Sequence, residues 1–221
     1  MERHLDIELD KLKKKLLDMA ALSETMIEIV TRELTNFKID YSEQVFDYEN
    51  KVNSMENEID DTCIDLMAKY KPAATDLRLL ISILKINHSL ERIGDQAVNI
   101  HEMYKKLELN IPDFIINDLK KISSLAIDMV KNIITAFINK DTATAIMICK
   151  SDDNVDDLNK EIFEKLMNYI ATINDPSLVK SSLELLIISR NYERIADEAT
   201  NIGEDIVFYV KGDNIKHHNM E

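Results

Sequence analysis

Apolar residues recur near the start of the chain at Leu5, Leu9, Leu12, Leu16, Met19, Met26, Ile29, Val30 and Leu34, at spacings of three, four and seven. That is the period of one buried face on an α-helix, and it predicts a first helix over about residues 5–38. Ile39-Asp40-Tyr41-Ser42 interrupts the pattern. Ser42 followed by Glu43 then opens a second helix that runs to about Tyr70. Lys71-Pro72 forces a turn, because the residue before proline avoids the α conformation. A third helix is predicted from about Ala74 to Leu107, and Glu108-Leu109-Asn110-Ile111-Pro112 reads as a linker. Three more follow at about 114–138, 142–173 and 177–210, split near Lys140-Asp141 and Asn174-Asp175-Pro176. Gly212 suits a C-terminal cap. Short connections between long helices predict antiparallel packing.

The halves repeat. Glu91-Arg92-Ile93-Gly94-Asp95-Gln96-Ala97-Val98-Asn99-Ile100 returns as Glu193-Arg194-Ile195-Ala196-Asp197-Glu198-Ala199-Thr200-Asn201-Ile202, with seven of ten positions identical at an offset of 102. Val52-Asn53 and Val155-Asp156 match at 103, as do Met26 and Met129. The expected fold is all-α: two tandem antiparallel three-helix bundles related by an internal repeat. The expected domains are residues 1–108 and 113–212, followed by a loose tail at 213–221 that carries His217 and His218.

Composition agrees. Three Gly and three Pro in 221 residues are too few for an all-β protein or a dinucleotide-binding α/β enzyme. A net charge of -14 without a basic patch argues against nucleic acid and for cations. Cys63 and Cys149 lie far apart in apolar-periodic stretches, as buried thiols in a reducing compartment do. The start, MERHLDIELDKLKKK, lacks a signal peptide's apolar run, and no run of 18 apolar residues suggests a membrane span. The expected location is the cytoplasm.

On the third helix Ile86, Leu90, Ile93, Ala97 and Ile100 share a core face. Glu91, Asp95, Asn99 and Glu102 lie nearly opposite, and His88 points the same way; Glu193, Asp197, Asn201 and Glu204 repeat the arrangement. Two readings fit such a stripe: a solvated face, or a cation site. Like charges four apart repel, so the pattern is slightly unfavourable without a cation. It also occurs twice at matching positions, and the neighbouring helix supplies acids. If the second and third helices turn back near residue 73, Glu91 faces about residue 55 and Asp95 about residue 51, where Glu49, Asn53, Glu56 and Asp60 stand. In the second half Glu193 and Asp197 face Asp152, Asp153, Asp156 and Asp157. Carboxylates without thiolate or imidazole suit hard cations: Mg²⁺, Mn²⁺, Ca²⁺ or oxidised iron.

None of His4, His88, His101, His217 and His218 follows a Glu by three residues, which argues against the Glu-x-x-His di-iron pattern. His88 reads as an ordinary polar helix residue. Arg92 and Arg194 read as salt-bridge partners of nearby acids, with a phosphate or carboxylate anchor as the other reading. The ten methionines read as core filling. No nucleophile–base set, P-loop or dinucleotide fingerprint occurs.

Ala74-Thr75-Asp76-Leu77-Arg78-Leu79, Leu90 to Ile100, Asn53-Ser54-Met55-Glu56-Asn57-Glu58-Ile59-Asp60 and Phe208-Tyr209-Val210-Lys211-Gly212 together resemble the PhoU family of phosphate-signalling proteins, over about residues 5–217. The resemblance implies tandem three-helix bundles and metal clusters held by paired Glu/Asp-x-x-x-Asp motifs. Carried over, the metal residues are Glu91 with Asp95, Glu193 with Asp197, Glu49 with Asn53, and Asp152 with Asp156. The expected ions are divalent or trivalent (iron, manganese or magnesium), several to a site. Asn53 departs from the acidic pattern, so the first site is expected to be weaker or to hold fewer ions. The resemblance further implies a non-enzymatic negative regulator of the phosphate-starvation response. Such a regulator links the ATPase of a phosphate ABC transporter to a sensor histidine kinase at the inner face of the membrane, self-associates as a dimer, and neither inserts into the bilayer nor binds nucleic acid. The rival from another class is a metal-dependent phosphoesterase using the same carboxylates.

Overall fold

In a computed structural model, which describes residues 3–35, 39–107 and 112–215, the chain forms six helices. They are α1 (His4–Thr35), α2 (Ser42–Tyr70), α3 (Ala74–Tyr104), α4 (Asp113–Asn139), α5 (Thr142–Ile170) and α6 (Pro176–Lys211). Helices α1, α2 and α3 pack on one another, as do α4, α5 and α6. The two bundles join along α3 and α6, with α1 against α4 beside them. The predicted linker residues 108–111 and the tail histidines lie outside the described residues.

Helix existence follows the apolar period; helix ends follow local chemistry. Asp141 accepts hydrogen bonds from the backbone N–H groups of Ala143 and Thr144, and so caps α5. Asp175 accepts from the Ser177 N–H, and Pro176 occupies the first turn of α6, where its missing N–H costs nothing. With glycine scarce, Lys71 (φ 45°) and Lys140 (φ 54°) take the left-handed conformation that ends α2 and α4. Gly212 (φ 80°) ends α6 and donates its N–H to the Phe208 carbonyl. Helices α3 and α5 stop at Tyr104 and Ile170, short of the predicted ends, while the predicted end of α1 at about residue 38 lies outside the described residues.

The predicted core face of α3 is fully buried: Ile86, Leu90, Ile93, Ala97 and Ile100 are each 0% exposed. Helix α3 also buries a second, polar face against α6. Ser82 donates its hydroxyl to the Asp205 carbonyl (3.0 Å), Lys85 pairs with the Asp205 carboxylate (2.9 Å), and Arg92 pairs with Glu198 (3.0 Å). Arg92 is thus a salt-bridge residue, and its partner lies in the other bundle. Tyr192 is buried within the same junction, its hydroxyl 2.9 Å from that of Thr31 on α1. Among the described residues α4 alone is long and apolar enough to cross a membrane. Its apolar positions Ile115, Leu119, Ile122, Ala126, Val130 and Ile133 are buried in the second bundle.

A polar node ties α1 and α2 to the end of α3. His101 donates from Nδ1 to Glu33 Oε2 (2.7 Å), both side chains being buried, and its Nε2 lies 3.0 Å from Ser42 Oγ. Glu33 Oε1 accepts the Tyr41 backbone N–H (3.0 Å).

Two glycines make opposite predictions. A Cβ on Gly203 would stand 2.7 Å from Cys149 Sγ and 3.3 Å from the Ala145 carbonyl oxygen, so α5 and α6 approach closely there. A Cβ on Gly94 meets only ordinary contacts, the nearest at 3.5 Å from Val52, and the second repeat already has Ala196 at that place. Gly203→Ala is therefore expected to destabilise the chain by about 1–3 kcal/mol through overpacking. Gly94→Ala is expected to stabilise it by up to about 1 kcal/mol through helix propensity. Urea unfolding of both variants checks the pair; equal signs would refute the close-approach argument.

Candidate metal centres

The antiparallel register brings the predicted acids together. Gly94 on α3 lies against Val52 on α2, and Cys149 Sγ on α5 lies 3.6 Å from the Thr200 carbonyl oxygen on α6. These contacts set α2 on α3 and α5 on α6 at the positions the turns dictate.

In the second bundle Asp152 and Asp156 on α5 confront Glu193 and Asp197 on α6. Burial pushes the Asp152 carboxyl up to about 7, helped by the charges of Asp197, Asp156 and Glu193. Glu193 is raised by burial and then by Asp197 and Asp156, and Asp197 by burial and then by Asp156. Glu193 is 6% exposed; Arg190 donates to its Oε1, while its Oε2 and Asp152 Oδ1 are shielded from water without a hydrogen-bond donor. Buried carboxylate oxygens lacking donors are costly, and a cation removes that cost. These four residues therefore fit a hard metal ion by the chemistry of their donor set.

The first bundle differs. Glu49 on α2 is raised by burial and then by Asp95 and Glu102 of α3. Glu91 is pushed up to about 7 by burial, then by Asp95 and Glu56. Asn53 stands half-buried on α2 between Glu49 and Glu56, and its backbone carbonyl accepts from the Asn57 amide (2.7 Å). Glu56 is the α2 acid beside Glu91, and His88 joins it: Nδ1 lies 3.4 Å from Glu56 Oε1 and 4.0 Å from Glu91 Oε2. The acids do not stand opposite the core face as the helical wheel places them. The Glu91 side chain is 19% exposed, on the shoulder that faces α2.

Periodicity assigns no role to Arg190, whose guanidinium donates to one carboxylate oxygen of Glu193. The signal was the repeat offset, which pairs Arg190 with His88. Cys63 and Cys149 are buried, and burial pushes both thiols up to about 12, which leaves them unreactive.

Known proteins share this architecture. The crystal structure of PhoU from Pseudomonas aeruginosa superposes with a TM-score of 0.87 at 29% identity, covering 95% of this chain and 100% of that one. A PhoU homolog of Aquifex aeolicus, a phosphate-specific transport system accessory protein, is 32% identical over 214 residues, which is 97% of this chain and 96% of that protein. The Escherichia coli accessory protein PhoU is 31% identical over 211 residues, covering 95% of this chain and 86% of its own length. The PhoU domain profile matches residues 16–103 and again 119–206, one copy in each three-helix bundle, and the chain belongs to the PhoU family.

Proposed function

We propose that this chain is an accessory regulator of phosphate uptake. It joins the ATPase of a phosphate ABC transporter to a sensor histidine kinase at the inner face of the membrane, and holds the phosphate-starvation response down when phosphate is plentiful. It works in the cytoplasm as a dimer, by binding and not by turnover. Relatives that carry the name of phosphate-specific transport system accessory proteins support the transport half of this reading. Each acid cluster takes divalent or trivalent cations: Glu49, Glu91 and Asp95 with Asn53 on the first bundle, and Asp152, Asp156, Glu193 and Asp197 on the second. Bound cations supply positive charge between paired helices. Metal occupancy or the transporter's nucleotide state then shifts which partner is held.

The observation that carries the adaptor half is an asymmetry between the bundles. A groove of about 560 Å³ runs between α5 and α6, lined by Phe163, Leu186 and Ile187 and rimmed by Lys160, Glu164, Arg190 and Arg194. Phe163 is 53% exposed and Ile187 47%. The corresponding first-bundle positions are Asp60 and Lys85, so the repeat does not require apolar side chains there. With Lys160 and Arg190 already paired to Asp157 and Glu193, and with Glu164 on the same rim, the trough suits a partner segment whose contact is chiefly apolar.

Deleting the gene is expected to derepress phosphate-scavenging reporters in rich phosphate; unchanged output would end the regulatory reading. Full-length Phe163→Glu/Ile187→Glu is expected to reproduce the deletion with helical circular dichroism intact. Wild-type repression by that variant would remove the groove from the mechanism.

A further inference from the structure

The two bundles are not equivalent beside their shared glutamate. On the first, Glu56, His88 and Glu91 each offer one ligand atom, and the three atoms lie within 4.8 Å of one another. On the second, the positions that correspond by the repeat are Asn159, Arg190 and Glu193. There Arg190 donates to Glu193, and Asn159 Oδ1 accepts the Ser189 hydroxyl (2.7 Å). A guanidinium and a committed amide leave no room for a cation at that spot. The first bundle has acid, imidazole and acid in their place.

We propose that Glu56, His88 and Glu91 form a metal position found only on the first bundle, selective for borderline divalent ions such as Zn²⁺ or Co²⁺, with His88 Nδ1 as its nitrogen ligand. Imidazole nitrogen next to carboxylate oxygen favours such ions over Mg²⁺ or Ca²⁺. Ligand atoms about 2.1 Å from a tetrahedral zinc stand about 3.4 Å from one another. His88 Nδ1 lies 3.4 Å from Glu56 Oε1 and 4.0 Å from Glu91 Oε2, so small rotamer adjustments close the set without moving the backbone. Glu56 comes from α2, while His88 and Glu91 stand one turn apart on α3, so the ion would pin the two helices together. The Glu56 and Glu91 side chains are 25% and 19% exposed, which partly shields the acids, and the His88 ring is 65% exposed, which leaves the fourth position open to water. This position also explains why Asn53 need not empty the first bundle of metal: Glu56 restores a carboxylate one turn further along α2.

The proposal rests in part on the reading of the α2 and α3 acids as ligands, since Glu91 is shared, but its test is separable. The probes are Zn²⁺ and Co²⁺ added to the full chain, with His217→Ala/His218→Ala as the background so that the tail imidazoles do not contribute. Bound zinc is counted after dialysis, and Co²⁺ is followed by its visible d–d bands. The background protein is expected to bind one Zn²⁺ more than its His88→Ala derivative. Glu56→Gln is expected to weaken that ion roughly 100-fold or more, because loss of a direct ligand exceeds the about 10–100-fold effect of losing an outer partner. His88 is exposed, so folding survives its removal. Arg190→His, which rebuilds the imidazole on the second bundle beside Asn159, is expected to add no zinc. Equal zinc stoichiometry and unchanged Co²⁺ bands in His88→Ala would overturn the proposal. Mn²⁺ binding measured in parallel on Asp152→Asn/Asp156→Asn reports on the acid clusters alone, so failure there and failure here are distinguishable.

Discussion

Glu33→Ala is expected to lower stability by about 3–5 kcal/mol, the cost of leaving two hydrogen-bond donors of a buried node without their acceptor. Glu33 is 0% and His101 2% exposed, and they meet at 2.7 Å. Removing the carboxylate leaves His101 Nδ1 and the Tyr41 N–H without the acceptors they have in the fold, and His101 is buried away from water. For a chain of this length the loss corresponds to roughly 6–20 °C in melting temperature. His101→Ala is expected to fall in the same range, because it strands Glu33 in turn. The two losses should not add. A double-mutant cycle is expected to return a coupling energy of about 1–3 kcal/mol. Additive losses would mean that the pair is incidental and that each residue acts through packing alone.

The same node explains what the sequence leaves hidden. His101 appears there only as a histidine that lacks a glutamate three residues before it, and Glu33 as one acid among many. Their pairing depends on α1 and α3 lying side by side, 68 residues apart in the chain. The α3–α6 seam is hidden for a related reason. Ser82, Glu198 and Asp205 are polar, so periodicity assigns them to solvent, yet each is buried with a partner on the opposite helix: Ser82 on the Asp205 carbonyl, Glu198 on Arg92 and Asp205 on Lys85. The helix register was legible because burial on a helix must recur every three to four residues. The helix ends were not, since the same burial continues past them: Leu107 still packs on the core after α3 has ended at Tyr104. The acid clusters were legible because the turn at Pro72 and the proline at 176 fix the antiparallel register, and the repeat states the pattern twice. What periodicity could not supply was how deep the acids sit. That depth is the observation on which the proposed cation sites rest.

Metal is expected to reverse the pH dependence of stability, and the second bundle is where the effect is largest. Without metal, Asp152 titrates at about 7 in the fold against about 4 in the unfolded chain. Between those values the native state holds a proton that the unfolded state has lost. The stability contributed by such a group is therefore full below about pH 4 and falls away as pH rises towards 7. Glu193 and Asp197, raised for the same reasons, act in the same direction. A chelated sample is thus expected to melt at lower temperature at pH 8 than at pH 5. A cation displaces these protons, so affinity climbs with pH until the carboxylates are ionised. Mn²⁺ at about 100 times its dissociation constant adds about 2.7 kcal/mol, or roughly 5–11 °C, at pH 8 and much less at pH 5. Asp152→Asn/Asp156→Asn is expected to raise the chelated melting temperature at pH 8 by relieving repulsion, and to remove the second bundle's share of the response to Mn²⁺, leaving only what the first bundle contributes. Asp61→Asn/Asp65→Asn, which removes the same charge from exposed positions on α2, should do neither. If both variants shift alike, the pH dependence belongs to the net charge of -14 and not to a built site. Opposite signs in the two states would place the cation between α5 and α6, because only a group that crowds without metal and coordinates with it can cost stability in one state and add it in the other.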